Sequence, residues 1–316
     1  MRRAAAINLL LQPADRHSTL LLGGSGFLGQ ALRRSMGDLI AATTHHSSRQ
    51  PDQQSLPFDA STTSVKSLIA GLPHRPALAI LLFGVTSMDV CARDPSGTAQ
   101  INVSGTLRVI DELRELGITP VFVSSDAVFD GSKPWNREED PARPILTYGK
   151  QKLEVEARLA ALPPPWLVLR LPKLVAEDCD ARCMLTGWMR ALESDGELLC
   201  ATDQYFTPAA VTDVARAIEA LIAKRAQGLF HLGGAQRLSR RDLLALVAEE
   251  YGRHKPVRAR IVDCLLADLK FAEARPRDTS LRSDRAASFL GMRFRNMTTV
   301  VKSAVDACLS TSGQQG

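Results

Sequence analysis

The chain alternates short apolar runs with amphipathic stretches. Thr19–Leu22 is apolar and closed by glycines. From Phe27-Leu28 through Ala31-Leu32 to Met36, apolar positions then recur at helical spacing, which predicts strand, tight turn and helix. A second apolar run, Leu39–Ala42, gives way to polar Thr43-Thr44-His45-His46, and Ala77–Val85 is long enough for a strand buried on both faces. Asp94-Pro95 opens a helical stretch that reaches Leu116. Pro120–Val123 predicts the next strand, Tyr148–Ala161 the next helix, and Trp166–Leu171 a strand after the breaker Pro163-Pro164-Pro165. Strands alternating with helices predict an α/β fold with a doubly wound parallel sheet over residues 18–172. Beyond Pro172 the alternation loosens into helical patterns near 181–194, 211–224 and 240–251, with a strand-like Gly228–Leu232. This part is expected to form a smaller C-terminal substrate-binding lobe over 173–309, interleaved with late elements of the sheet. Residues 1–17 read as an N-terminal extension, and the small polar residues from Ser310 onward as a frayed end.

Composition narrows the classes. A chain of 316 residues, 45% of them hydrophobic, can bury a substantial core, which excludes a disordered chain. Its 39 basic residues are interleaved with 34 acidic ones, so the net charge of +5 marks no nucleic-acid footprint. No window approaches the roughly 20 apolar residues that cross a bilayer. Met1-Arg2-Arg3 followed by Ala4–Leu11 has the outline of a leader. Gln12-Pro13-Ala14-Asp15 offers no small-residue cleavage site, however, and a cytoplasmic location is expected. The six cysteines, at 91, 179, 183, 200, 264 and 308, form no CxxC pair and no cluster with histidine, so reduced thiols and no metal are expected. The partner implied is a small molecule, with neither nucleic acid nor membrane; a homodimer is admitted.

Gly23, Gly26 and Gly29 give GxxGxxG directly after the first strand. Gly23 permits the tight turn, Gly26 lets backbone approach a pyrophosphate, and Gly29 lets helix pack against strand. The helix beginning near Phe27 aims its free N–H groups at phosphates. The pattern points to a Rossmann-type dinucleotide site, although such a turn also serves merely to join strand and helix. An acid usually follows the second strand to hold the adenosine ribose. Here the run Thr43–Arg49 has none, and Ser47, Ser48 and Arg49 offer donors to a 2′-phosphate. NADP(H) is therefore favoured, NAD(H) stays open, and an acid placed at Thr44 is expected to favour NADH.

Tyr148 and Lys152 stand at i, i+4, which puts phenol and ammonium on one helix face. A neighbouring positive charge favours tyrosinate, suiting Tyr148 to exchange a proton with a substrate carbonyl or hydroxyl. Lys152 also suits the nicotinamide ribose. Val123-Ser124-Ser125-Asp126 places hydroxyls at the carboxyl end of a central strand, where ligands bind in open α/β sheets. Ser125 there can polarise a carbonyl or simply cap a turn.

Together these residues resemble the extended short-chain dehydrogenases/reductases, and more narrowly the dTDP-4-dehydrorhamnose reductase (RmlD-like) family, from about Leu20 to Phe294. The pieces are Gly23-Gly24-Ser25-Gly26-Phe27-Leu28-Gly29, Thr86–Cys91 with Asp94-Pro95, Ile101-Asn102-Val103, Ser124–Gly131, Glu138-Glu139-Asp140, Pro144 and Tyr148–Lys152. Asp203-Gln204 with Thr207-Pro208, and Arg275-Pro276 with Thr279-Ser280-Leu281, are similar to its substrate-lobe motifs. The resemblance implies a cofactor site that also uses Ser25, Phe27, Leu28, Phe83, Gly84 and Val85, with Asp59 near the adenine. It implies Asn102 as a structural and proton-relay residue, and a substrate pyrophosphate held by the C-terminal lobe. The family's usual Thr-Asp-Tyr is here Ser125-Asp126-Ala127, and its usual Ser before the lysine is Gln151. Ala127 offers no acid or base, which ranks a dehydratase low. The resemblance implies reduction of a keto group on a nucleotide-linked deoxysugar; an epimerase of the same fold and a non-catalytic NADP-binding regulatory subunit are the rivals.

Overall fold

Four fully buried residues, Thr19–Leu22, form strand β1 inside a seven-stranded sheet. In this computed structural model, which describes residues 18–46, 55–180 and 182–312, the sheet's other strands are β2 (Ile40–His45), β3 (Ser55–Pro57), β4 (Leu78–Leu81), β5 (Thr119–Ser125), β6 (Leu167–Leu171) and β7 (Gly228–His231). Helices α1 (Phe27–Met36), α2 (Val65–Ala70), α3 (Met88–Arg93), α4 (Pro95–Ala99), α5 (Thr106–Glu115) and α6 (Thr147–Ala160) connect them. Later come α7 (Met184–Glu193), α8 (Val211–Ala223), α9 (Arg240–Gly252), α10 (Asp284–Leu290) and α11 (Met297–Ser312). The strand order is β7-β6-β5-β4-β1-β2-β3, and β1 pairs parallel with both β2 and β4. The chain therefore winds outward from β1 to β3, returns to β4 and winds the other way. That is the doubly wound sheet the alternation predicts, with its switch point between β1 and β4.

The chain divides into two compact units, one holding the segments up to Ser124, Gln151–Leu169 and Ala215–Phe230, the other Ser125–Lys150, Arg170–Val214 and the chain from His231 on. The units interleave, and the chain passes between them near the ends of β5, β6 and β7 and within α6 and α8. In the first unit Leu20 and Leu22 of β1, Ile69 of α2, Val109, Ile110 and Leu113 of α5, Phe122 of β5 and Val155 of α6 share one apolar core. Burying each such side chain stabilises by roughly 1.5–3 kcal/mol, so periodicity alone suffices to set these elements.

In the second unit α9 packs on α7 and α11, and Glu197–Ala201 pairs parallel with Arg260–Cys264. Ser239 and Asp242 close a capping box at the start of α9, each accepting the other's backbone N–H at 2.9 Å. Arg295 donates from its backbone N–H to buried Asp213 at 3.0 Å and from its guanidinium to Glu177 at 2.8 Å, and these partners hold its charge firmly.

Several expectations are revised. The run expected to leave the sheet at Ala42 continues as β2 to His45, because Thr43 and Thr44, though polar, are buried against the glycine turn. β4 stops at Leu81, since the chain turns at Gly84 with φ +141°. The helix expected from Asp94 to Leu116 is broken by a π turn at Gln100–Gly105. β3 and α2 escaped the sequence pattern because they are three and six residues long. Cys179 and Cys308 form a disulfide with Cα atoms 4.8 Å apart, which corrects the expectation of six reduced thiols; a sequence separation of 129 hides the pair from spacing arguments. Cys91, Cys183, Cys200 and Cys264 are free thiols. Among the described residues, no helix is long and apolar enough to cross a membrane, and no group of three or more His, Cys, Asp or Glu is placed to hold a metal ion. The extension, 1–17, lies outside the described residues.

Candidate functional site

In the first unit the carboxyl ends of β1, β2 and β4 enclose a cleft of about 320 Å³, lined among others by Gly23, Ser25, Gly26, His46, Asp59, Phe83, Gly84 and Val85. It lies at the switch point of the sheet, where two chain directions part and leave a crevice. Gly23 has φ +97°, and a Cβ there would stand 2.8 Å from the Phe83 nitrogen. A Cβ on Gly29 would stand 2.7 Å from the Gly24 backbone, so this glycine serves packing of helix on turn. A Cβ on Gly24 would collide with Thr43 Oγ1, a requirement no spacing argument reveals. Gly26 differs: its nearest neighbour would be Gly23 O at 3.4 Å, and the residue is exposed. Its missing side chain answers no need of the protein's own packing, which fits space kept for a ligand's phosphates. Gly26 is also the N-cap of α1, so the first-turn backbone of Phe27 and Leu28 stands at the helix's amino end beside the cleft. Leu28 and Gly29 are buried and do not line the cleft.

Strand β2 ends at His45, and His45 and His46 both stand in the cleft wall. His46 Nε2 lies 3.5 Å from Asp59 Oδ2, while Asp59 Oδ1 accepts from Ser61 N at 2.8 Å and Ser61 Oγ at 2.6 Å. These Ser61 hydrogen bonds hold the Asp59 carboxyl below its usual range. An acid is thus supplied to the cleft from beyond β3, although none follows β2. Ser47, Ser48 and Arg49 lie outside the described residues.

Asn102 stands on the π turn, a geometry often found at functional positions. Its Oδ1 accepts from Val85 N at 2.7 Å, and its Nδ2 donates to Val85 O at 2.9 Å and Gln151 Oε1 at 2.8 Å. Gln151 Nε2 in turn donates to Thr98 Oγ1 at 2.9 Å and Pro95 O at 3.2 Å. Asn102 therefore acts on the cleft by fixing its Gly84-Val85 wall. Beside it on α6, Lys152 is buried, donates to Val123 O at 2.9 Å and lies 4.6 Å from the centre of the Phe122 ring. Burial pushes its ammonium down to about 8, opposed by Glu156.

The second unit holds Ser125 and Tyr148. Ser125 Oγ donates to Asp126 Oδ1 at 2.9 Å and accepts from Ala127 N at 3.2 Å, so it does cap a turn, Asp126–Val128. Asp126 also accepts from Thr279 Oγ1 at 2.7 Å, and burial pushes its carboxyl up to about 6. Tyr148, largely buried, sits in the first turn of α6. Gly149 lets that turn lie against the Ala127 carbonyl, where a Cβ would collide; this is the contact that brings the start of α6 to the Ser125 turn. Glu273 holds the helix start, accepting from Thr147 N and Thr147 Oγ1 at 3.0 Å.

The late motifs run side by side in this unit. Tyr205 N donates to Arg277 O at 2.6 Å, Leu281 N donates to Thr207 Oγ1 at 3.1 Å, and Arg277 Nε lies 3.5 Å from Asp203 Oδ2. Sequence reading missed Lys173 and Arg240. Arg240 lies 5.2 Å over the Trp188 ring, gives one amine to Met184 Sδ at 3.5 Å, and keeps its buried Nε without an acceptor. Lys173 is exposed, yet nearby protein and the Arg240 charge depress its ammonium. Two cations so placed, with the Asp126 carboxylate opposing the depression of Lys173, suit an anionic ligand group.

Comparison with known proteins places the chain in a family. The family model described as the RmlD substrate binding domain matches residues 17–310. A dTDP-4-dehydrorhamnose reductase of Sinorhizobium fredii is 26% identical over 243 residues, covering 74% of this chain and 81% of that one. A methionine adenosyltransferase 2 subunit beta of Bos taurus is 29% identical over 170 residues, a match spanning about half of each chain (52% and 51%). The solved structure of a dTDP-4-dehydrorhamnose reductase from Bacillus anthracis in complex with NADP superposes with a TM-score of 0.75 at 18% identity, covering 91% of this chain and 98% of that one, a likeness of fold. The chain, matched over nearly its whole length, belongs to the RmlD substrate binding domain family.

Proposed function

We propose that this chain is a cytoplasmic NAD(P)H-dependent oxidoreductase of the short-chain dehydrogenase/reductase type, with NADP(H) favoured and NAD(H) accepted. Its substrate is the keto group of a nucleotide-linked deoxysugar, and the dTDP-4-dehydrorhamnose named by its reductase relatives is the first compound to test. The observation that carries this reading is the start of α6, which rests on Ala127 through Gly149 and bears Tyr148 and, one turn on, Lys152.

The glycine-turn cleft suits the dinucleotide. Gly23, Ser25, Gly26 and the first-turn amides of Phe27 and Leu28 hold its pyrophosphate, with Gly29 allowing that approach by packing. Asp59 and His46 would hold the adenosine, with Ser47 and Arg49 as further candidates, and Phe83, Gly84 and Val85, braced by Asn102, line the remaining wall. The bound nicotinamide supplies hydride. Ser125 orients the substrate carbonyl oxygen, and Tyr148 delivers its phenolic proton to that oxygen. The charge on Lys152 favours the phenolate that Tyr148 becomes. Lys173 and Arg240 suit the substrate's phosphates.

The test is reduction of dTDP-4-dehydrorhamnose with NADPH by the parent and by Tyr148→Phe. The parent should oxidise NADPH in step with sugar consumed. The variant should bind the cofactor normally but turn over about 10²–10⁴-fold more slowly. Sugar conversion without net NADPH loss indicates an epimerase. The likeness to methionine adenosyltransferase 2 subunit beta favours a second reading, a regulatory subunit that binds dinucleotide without turnover. Tight NADPH binding with no oxidation of it by any 4-keto nucleotide sugar supports that reading instead.

A further inference from the structure

Helix α6 grips β5 at two consecutive residues. Lys152 Nζ donates to Val123 O at 2.9 Å, and one helical turn later Glu156 accepts from Ser124 Oγ. Both side chains are buried, with 6% and 7% of their surface exposed. Val123 and Ser124 are the strand residues immediately before Ser125, so this double grip fixes the end of β5 that presents it.

The partners differ in kind. Around Lys152, β5 contributes the neutral Val123 carbonyl and the face of Phe122. Ionisable groups that act on it include Glu156, from its own helix, and the Cys91 thiol of α3; the Asn102 amide, 3.7 Å from that thiol, is neutral. Tyr148 lies one turn earlier on α6. An ammonium taken out of water strongly favours losing its proton unless a carboxylate shares its surroundings. Glu156 is that carboxylate. The low-dielectric setting makes its influence large, and Ser124 keeps it in place.

We propose that Glu156 is a positioning residue for the reaction, the buried counter-charge that keeps Lys152 an ammonium while anchoring, through Ser124, the strand end that carries Ser125. The inference rests on the reductase reading for the role of Lys152, but the state of Lys152 can be measured without turnover. Glu156→Gln keeps the shape and an acceptor for Ser124 while removing the charge; Glu156→Asp keeps the charge. Titration of Lys152 by NMR of lysine labelled at Cε should show its midpoint falling by about one pH unit or more in Glu156→Gln, a tenfold change in proton affinity. The alkaline limb of the kcat profile should move down with it, and Glu156→Asp should restore both toward the parent. An unchanged Lys152 midpoint in folded Glu156→Gln overturns the proposal. If that variant does not fold, the parent alone decides: Lys152 must stay charged at pH 7, and a neutral Lys152 there overturns it. A parent that never reduces a keto sugar contradicts the reductase reading, while the titration still judges the Lys152–Glu156 pair.

Discussion

Thr44 Oγ1 accepts a 2.9 Å hydrogen bond from the backbone N–H of Gly23, tying β2 into the glycine turn. Position 44 is therefore inside the sheet, and His46, which follows β2, is the residue there that lines the cleft beside Asp59. Thr44→Asp should weaken both cofactors alike, by placing a carboxylate in a buried site. His46→Asp is the substitution that should move preference toward NADH, by about tenfold (about 1.4 kcal/mol) in the ratio of specificity constants. Steady-state kinetics with both cofactors checks this; a ratio unmoved by His46→Asp removes His46 from cofactor choice.

Gly26 and Gly29 should separate binding from folding. Gly26→Val meets no close protein atom, so the variant should fold and melt near the parent while dinucleotide affinity falls by about 100-fold or more (about 2.7 kcal/mol). Gly29→Val presses on the Gly24 backbone and should lose about 1–3 kcal/mol of stability. Calorimetric titration paired with thermal melts distinguishes them, and unchanged cofactor affinity in folded Gly26→Val contradicts the phosphate role.

Asp126 gives stability a pH dependence of definite sign. Burial raises its folded pKa to about 6, so between the unfolded value, about 3.9, and that point the folded chain holds more protons than the unfolded one. Its contribution to stability therefore falls as pH rises through this window, by up to about 3 kcal/mol. Asp126→Asn removes the titration. The melting temperature of the variant relative to the parent should rise between about pH 4 and about pH 7; a difference constant with pH contradicts the assignment.

The Cys179–Cys308 bond makes a countable prediction. Of six cysteines, four should react with a thiol reagent in denaturant before reduction and all six afterwards. Six reactive thiols before reduction contradict the bond and restore the expectation read from spacing.

What the sequence made legible was local. Leu20, Leu22, Val109, Leu113 and Val155 declare their elements by period, and Gly23, Gly26 and Gly29 by their spacing after a strand. Tyr148 and Lys152 are visible because one helix turn separates them. What stayed hidden depends on partners far along the chain. Gln151 meets Asn102 across 49 residues, Glu156 meets Ser124 across 32, and the Ser61-bound Asp59 reaches His46 only once β2 and β3 pair. The π turn left no trace, since its residues continue a helical pattern while shifting the face on which Asn102 stands. Lys173 and Arg240 read as ordinary surface cations until packing on Trp188 and desolvation set them apart.

The most direct test of the central claim follows the hydride itself. NADPH deuterated on the transferable face at nicotinamide C4 is incubated with dTDP-4-dehydrorhamnose and the parent protein, and the product is read by mass spectrometry and NMR. A reductase delivers one deuterium to sugar C4 for each NADPH oxidised. Sugar recovered unlabelled, with deuterium still on the cofactor, would contradict the account.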